Sequence, residues 1–569
     1  MLFVSVVPDQ FYFLWQIELQ LLNFSKFGIP KEQIQILIGK DRTYGLSIWF
    51  SDFIGRNADK ASFFVYPREV DVFGYRPSIR PHLLKQHFSR YPELADEVIF
   101  YHDSDIIFRE LPDFESLAAG DEWYLADCRS YIDSGYLKGR AEGLFEGMCA
   151  IMEIDPAVVV AADAIAGGAQ YILKGITAAF WAKMEDDCER LFGFMKDYDE
   201  SVVKTPVNGS VQSWCTDMWV LFWTGLKMNK KMQLSDELAF TWAADPIEKY
   251  TTRKIYHNAG ASDLVDKVNY TVFDKVKFHV HPPYYSQHDR YSKELCSYEY
   301  VRLIREWEDS QPKADLSDTS FLIPLYIDSP DRLLNLEITT RYLYKHFNTR
   351  TIVLEAGPGQ KVDPSLLPPN VDYHFIEDHN PSFHRTRYNN HLIRLCQTKL
   401  LALYDVDVIL PPAQIMESIT ALREGNMAIS YPYSGLFYAT APWVGDIFRM
   451  VLDHTVLQRL DDKHTVASRR SLGGCVFLDK ATFVACGGEN QHLTSWGPDD
   501  IERAARYKIL GYTIHRAPGV LYHLHHERGA NSAYNAETST RLRSEYLTIC
   551  SFTRNELVDY IQTWDYFRN

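Results

Sequence analysis

An apolar strand that runs into Asp-x-Asp occurs twice in this chain. Glu97-Val-Ile-Phe-Tyr-His-Asp-Ser-Asp-Ile-Ile-Phe108 carries Asp103 and Asp105, and Leu400-Leu-Ala-Leu-Tyr-Asp-Val-Asp-Val-Ile-Leu410 carries Asp405 and Asp407. On a strand, residues i and i+2 point to the same side. Two carboxylates placed so repel each other unless a cation sits nearby. All-oxygen ligands of this kind suit Mg²⁺ or Mn²⁺, and open α/β sheets hold ligands at the carboxyl ends of their strands. An acidic turn after a buried strand is the plain alternative for one such motif. Two of them, each deep within its own half, favour the metal. Phosphatases also use Asp-x-Asp after an apolar strand, but on the first strand. Here Phe3-Val-Ser-Val-Val7 and Phe321-Leu-Ile323 come earlier, which argues against that chemistry.

The repeat divides the chain. At 569 residues it exceeds one compact domain of roughly 150. Residues 1–308 read as a first domain and 321–569 as a second. Between them, 309–320 is polar and aperiodic and reads as a linker. Each half opens with a strand, continues with a helical stretch (Phe11 to Phe24, Leu333 to His346) and returns to a strand (Ile34 to Ile38, Thr351 to Leu354). That order predicts an α/β fold with two Rossmann-like domains in tandem, each a mostly parallel sheet covered on both faces. Near the end, Thr553 and Glu556 fit a capping box before an amphipathic helix.

The balance of 75 acidic against 59 basic residues, net −16, argues against nonspecific nucleic-acid binding, which depends on Lys and Arg neutralising phosphates. Aromatics make up 14%, which suits stacking on sugars as well as a plain aromatic core. Nine cysteines without a Cys-x-x-Cys pair read as reduced thiols in a cytoplasmic protein. The apolar run Met1 to Pro8 has no basic flank and reads as a strand rather than a signal peptide. Ala157 to Trp181 contains Asp163, Gln170, Lys174 and Gly167-Gly168, so a spanning helix is not expected there. Any membrane contact is expected to be peripheral.

In the second half the motifs form an ordered series: Ile323-Pro324 and Asp331-Arg332, then Phe383-His-Arg-Thr-Arg-Tyr-Asn-Asn390, Tyr404-Asp-Val-Asp-Val408, Gly473-Gly474, Ser495-Trp-Gly-Pro-Asp-Asp-Ile-Glu502 and Leu521-Tyr-His-Leu-His-His526. From Phe321 to Ser532 this series resembles the β-1,4-galactosyltransferase and chondroitin-polymerase type of GT-A glycosyltransferase. The resemblance implies Phe383 near the uracil and Arg385 at the diphosphate. It implies Asp407 on the metal with Asp405 orienting the nucleotide or sugar, and Gly474 and Trp496 beneath the sugars. Asp499 would bind the acceptor, and Asp500 would be the base that deprotonates the acceptor hydroxyl in an inverting displacement. His523 and His526 would complete the metal site, with His525 as a rival. Read locally, Asp499 and Asp500 also fit a helix start, where acids complement the dipole, and Pro498 stands where the family has Gly.

The first half resembles the hydroxyproline O-arabinosyltransferase-like glycosyltransferases. The residues that carry the resemblance are Trp15-Gln16, Asp103-Ser-Asp-Ile-Ile-Phe108 with Arg109-Glu-Leu-Pro112, Gly167-Gly168, Ser213-Trp-Cys-Thr-Asp-Met-Trp219 and Ile255-Tyr-His-Asn-Ala-Gly260. By analogy with the second half, Asp105 and His257 bind metal, Asp103 supports them, Gly168 lies under the donor sugar, and Asp217 is the acceptor base or an acceptor contact. Together the resemblances imply a bifunctional glycosyltransferase with UDP-sugar donors, a glycan or glycoconjugate acceptor, and Mn²⁺ or Mg²⁺ at each centre. The competing reading keeps only the second half active, with the first as a glycan-binding or structural domain.

Overall fold

The computed structural model describes residues 1–68, 76–201, 212–260, 271–279, 282–285, 288–380, 382–425, 427–495, 497–527, 529 and 536–567. The chain divides into two compact units. The first comprises Met1–Pro282 and Asp289–Trp307; the second comprises Pro283–His288 and Glu308–Asn569. The expected α/β architecture is present in both.

In the first unit a seven-stranded sheet is built from β1 (Leu2–Pro8), β2 (Ile34–Lys40), β3 (Ser62–Pro67), β4 (Ile99–Tyr101), β6 (Trp123–Asp127), β7 (Gly167–Leu173) and β8 (Met232–Leu234), in the order β3-β2-β1-β4-β7-β6-β8. The strands β3, β2, β1 and β4 pair in parallel. β7 runs antiparallel to both β4 and β6, and β8 is parallel to β6. A small second sheet joins β5 (Ile106–Phe108), β10 (Ile255–His257) and β9 (Phe240–Thr241).

The second unit repeats this plan. Its large sheet holds β11 (Ala314–Leu325), β12 (Phe347–Gly357), β13 (Val371–Glu377), β14 (Leu400–Tyr404), β16 (Ile429–Tyr431), β19 (Cys475–Asp479) and β20 (Ile514–Arg516), in the order β13-β12-β11-β14-β19-β16-β20. The parallel and antiparallel pairings fall in the same sequence as in the first unit. The small sheet holds β15 (Val408–Ile409), β21 (Val520–His523), β17 (Leu436–Ala439) and one extra strand, β18 (Thr465–Ser468).

Both large sheets are apolar on two faces, as parallel sheets covered by helices must be. In β11, Phe321, Ile323 and Leu325 enter one core cluster while Leu322 enters another. In β1, Val4 and Val6 separate in the same way from Phe3 and Val7. The helices Phe11–Lys26 and Pro330–His346 follow the opening strands, and Thr553 with Glu556 forms the expected capping box of helix Arg554–Gln562.

The expected linker at 309–320 is corrected by the structure. A helix spans Ser297–Ser310, and β11 already begins at Ala314. Residues 314–320 read as polar because only Leu316, Thr319 and Ser320 are buried there, while Asp318 pairs outward with Arg423. Among the described residues no helix is long and apolar enough to cross a membrane. All nine cysteines are free, eight of them buried.

Candidate active sites

In the second unit β14 ends at Tyr404, and the chain turns sharply. Asp405 N donates to Gly474 O (2.9 Å), the Tyr404 hydroxyl donates to Val408 O (2.9 Å), and Thr339 Oγ1 donates to Val406 O (2.7 Å). β15 then pairs antiparallel with β21, with Val408 opposite His523. This pairing brings Asp407 to the two histidines. His523 Nε2 lies 3.3 Å from Asp407 Oδ1, and His526 Nε2 lies 3.3 Å from Asp407 Oδ2. His525 is exposed, so His526 is the member of the pair that reaches the centre.

The donor atoms of Asp407, His523 and His526 all lie within 4.8 Å of one another. The chemistry of this set fits a divalent cation. The Nδ1 of His526 is 2.8 Å from Glu527 O, a contact that requires a proton on Nδ1. Burial holds the imidazole pKa down, which favours the neutral ring. Nε2 is then a lone pair facing a carboxylate oxygen, and two such acceptors call for a cation between them. Burial pushes Asp407 up, but His523, Arg332 and His526 outweigh it and hold the carboxyl below its ordinary range.

Arg385, the first residue of helix Arg385–Leu395, organises the other wall. Its Nη1 reaches Asp405 Oδ1 (3.1 Å), Nη2 reaches Asp500 Oδ2 (2.9 Å), and Nε and Nη2 both reach Asp499 Oδ2 (2.9 and 2.5 Å). Asp499 and Asp500 open helix Asp499–Ile509. Arg503, one turn on, donates to Asp500 Oδ1 (3.1 Å) and forms a two-bond pair with buried Glu489 (2.6 and 2.9 Å). Sequence reasoning missed Glu489 and Arg503; they lie outside the motifs, and only the fold brings Glu489 to the helix.

These contacts separate the two neighbouring carboxyls. Burial pushes Asp499 up to about 7; Arg385 opposes the shift, and Asp500 and Glu489 reinforce it. Asp500 is also raised by burial, but Arg385 and Arg503 outweigh that and hold it below the ordinary carboxylate range. Two carboxyls sharing one guanidinium titrate as a pair, with Asp500 the ionised member, poised to accept a proton, and Asp499 the member that keeps its proton toward neutrality.

A stability test follows. The unfolded pKa of Asp499 is 3.8 and the folded one about 7, so the folded state keeps a proton that the unfolded state releases. Stability should therefore fall as pH rises from about 4 to 7. In thermal melts in chelator at pH 5 to 8, the second unit's transition should fall more steeply in the wild type than in Asp499→Asn. Equal slopes would remove the raised pKa.

The cleft has a volume of about 460 Å³, and Tyr326, Phe383, Arg385, Asp405, Asp407 and His523 are on its wall. Phe383 stacks on Tyr388 with ring centroids 5.0 Å apart. Gly473 and Gly474 form the floor. A Cβ at Gly473 would stand 2.8 Å from Asp500 Oδ2, and Gly474 has φ +87°, the left-handed region that favours glycine. Trp496 lies outside the described residues.

The first unit builds its site at the same register. After β4, Gln20 Nε2 donates to Asp103 O (2.9 Å), one residue before the position that Thr339 holds at Val406 in the second turn. Ile106 faces His257 across the β5–β10 pair, as Val408 faces His523. His257 Nε2 lies 3.5 Å from Asp103 Oδ2 and 3.4 Å from Asp105 Oδ1, and the three donor atoms fall within 4.8 Å of one another. Arg80, near the start of helix Ile79–Arg90, links Asp103 Oδ1 (2.7 Å) to Asp217 Oδ2 (2.7 Å). Asp217 is the second residue of helix Thr216–Lys227, as Asp500 is of its own helix. Arg80 therefore stands as Arg385 does, and sequence reasoning missed it because it lies in no recognisable motif. Burial pushes Asp105 up, but Lys275 and His257 outweigh it and hold the carboxyl far below its ordinary range.

One expected correspondence shifts by a residue. Tyr101 pairs with Tyr171, and Leu403 pairs with Val476, so counting back from each pair sets Ala169 against Gly474 and Gly168 against Gly473. Ala169 has φ +61° and takes the left-handed position. Gly168 packs instead against Met218, whose Cε would lie 2.2 Å from an added Cβ. The first cleft is larger, about 910 Å³, and aromatic, with Tyr12, Tyr131, Trp181, Trp214 and Trp242 on its walls. Trp242 stacks on His257 with centroids 5.6 Å apart.

No curated protein matches the chain in sequence. Among solved structures, GalNAc-T7 with UDP, GalNAc and Mn²⁺ is similar at 11% identity and TM-score 0.28, over 43% of this chain and 49% of that one. The chain thus spans about half the length of that protein. A Drosophila β1,4-galactosyltransferase 7 mutant with manganese, UDP-Gal and xylobiose is similar at 16% identity and TM-score 0.24, over 38% of this chain and 77% of that one. The catalytic domain of Drosophila β1,4-galactosyltransferase 7 with xylobiose gives 17% identity and TM-score 0.23, over 39% and 79%. A family model described as the N-terminal domain of galactosyltransferase matches residues 458–527. That stretch contains Gly473, Gly474, Asp499, Asp500, His523 and His526, so the floor and far wall of the second site lie in the segment that matches the galactosyltransferase model.

Proposed function

We propose that the chain is a bifunctional, metal-dependent glycosyltransferase with one GT-A-type centre in each unit. Each centre transfers a sugar from a UDP-sugar to a glycan or glycoconjugate, and the second does so with inversion. The observation that carries this reading is the repeated constellation. Two Asp-x-Asp turns each meet a histidine across the small sheet, and each is tied by an arginine to an aspartate at the start of the same helix.

In the second unit Asp407, His523 and His526 would hold Mn²⁺ or Mg²⁺, and in the first Asp103, Asp105 and His257 would. When bound, the ion supplies positive charge to the leaving diphosphate. The rest of the chemistry belongs to the chain. Phe383 offers a face to the base, and Arg385 a two-bond donor to the diphosphate. Asp405 orients the donor. Asp499 holds the acceptor sugar, and Asp500 takes the proton of the acceptor hydroxyl as its oxygen attacks the anomeric carbon and the bond to the diphosphate oxygen breaks. Asp217 has the corresponding place in the first unit. Because both centres belong to one chain, tethering raises the effective concentration of one centre's product at the other, which suits sequential additions to one glycan. The free thiols fit a reducing compartment, and we place the protein in the cytoplasm.

The test is a screen of UDP-sugars with mass detection of products, run on the full chain and on Asp105→Ala and Asp407→Ala. Each variant should lose a different product or linkage. If Asp105→Ala changes neither donor hydrolysis nor product pattern, the first unit is a binding or structural domain. If Asp407→Ala keeps full transfer, the second centre is not metal-dependent.

A further inference from the structure

The two centres share a frame but differ in charge. Three residues after His523 stands His526; three residues after His257 stands Gly260. Among the described residues the first centre therefore groups one imidazole, His257, with two carboxylates, where the second groups two imidazoles with one. A Cβ at Gly260 would come 2.8 Å from Val276, the neighbour of Lys275. Lys275 itself forms a direct ion pair with Asp105, a carboxylate that is 2% exposed as a residue. It also lines the cleft with Asp103 and His257.

In the first centre Lys275 pairs with Asp105, while Arg80 is shared between Asp103 and Asp217. In the second centre the cation on the metal-site aspartate is itself shared. Arg385 serves Asp405, Asp499 and Asp500 together, and Arg332 divides itself between Asp407 (3.1 Å) and Asp328 (2.9 Å). A divalent ion there meets Asp407, whose guanidinium partner is divided with Asp328, and two imidazoles. At the first centre, among the described residues, it meets one imidazole and a partly buried ammonium committed to a ligand oxygen, and like charges repel more strongly as water is displaced.

We propose that Lys275 is a resident cation of the first site: it contacts the donor diphosphate directly and makes the first centre bind Mn²⁺ more weakly than the second. The ammonium is a compact charge with three donors and suits a phosphate. The proposal rests on the reading that the first unit takes a nucleotide-sugar.

Two measurements on the full chain test it. Electron paramagnetic resonance titration with Mn²⁺ should resolve two classes of site, the weaker by about 10- to 100-fold, the usual effect of altering groups around a metal. Asp407→Ala should remove the tight class, and Asp105→Ala the weak one. Lys275→Met should tighten the weak class about tenfold, while Lys275→Arg should leave it weak. In the Asp407→Ala background with chelator, UDP binding should persist and should weaken about tenfold on adding Lys275→Met, the loss of one charge-assisted hydrogen bond. A lysine with only a structural role would not move the two affinities in opposite directions. Equal Mn²⁺ classes in the wild type, or unchanged affinities in Lys275→Met, overturn the proposal. If Lys275→Met fails to fold, the wild-type order of the two classes, assigned with Asp105→Ala and Asp407→Ala, decides alone. If Asp407→Ala binds UDP neither with Mn²⁺ nor with chelator, it is the nucleotide-sugar reading of the first unit that fails.

Discussion

Asp500→Asn should abolish transfer at the second centre while leaving donor and metal binding in place. General base catalysis contributes about 10²–10⁴-fold, and an amide at this position cannot take a proton. Arg385 and Arg503 hold the Asp500 carboxyl ionised, so the wild-type base is ready across neutral pH. Asparagine is nearly isosteric, keeps one oxygen for Arg385, and fits beside Gly473. Rates should fall by that factor in single-turnover assays, and UDP affinity by calorimetry should change little. A variant with wild-type transfer would move the base to another residue. A variant that lost UDP binding as well would assign Asp500 to positioning Arg385.

The largest stability effect is expected at Glu489. Its side chain and that of Arg503 are each 1% exposed, joined by two hydrogen bonds. Removing one partner of a buried pair leaves an uncompensated charge and costs about 3–5 kcal/mol. Glu489→Ala should therefore lower the second unit's unfolding transition markedly, as followed by urea or heat. The double variant Glu489→Leu with Arg503→Leu should recover much of that loss, because the stranded charge is gone. It should not recover transfer, because Arg503 also holds Asp500. Recovery of both would reduce Arg503 to a packing role. No recovery of stability would show that the pair contributes more than it costs to bury.

The features legible in the sequence are local ones. Asp-x-Asp after an apolar strand, the capping box at Thr553 and Glu556, and the opening strands and helices all depend on neighbours along the chain. The histidines of the second site could be named because they stand in a recognisable series. Arg80, Lys275 and Glu489 could not. Arg80 reaches Asp217 across 137 residues, and Lys275 reaches Asp105 across 170. Nothing near them in sequence marks an arginine or lysine as anything but surface charge. The misread linker has a different cause. A strand that buries only some of the residues at its own start looks polar and aperiodic there when the exposed ones are Asp and Ser. The one-residue shift at Gly168 came from matching glycine to glycine. The backbone requires a left-handed residue at that register, and an alanine can occupy it at a cost of about 1–3 kcal/mol.

The common strand order of the two large sheets has a practical consequence. Strand register sets Asp105 against Asp407, His257 against His523 and Ala169 against Gly474, and the arginine contacts set Arg80 against Arg385 and Asp217 against Asp500. Each substitution in one unit then has a matched control within the same polypeptide, at the same concentration and in the same buffer. The molecule supplies its own reference state.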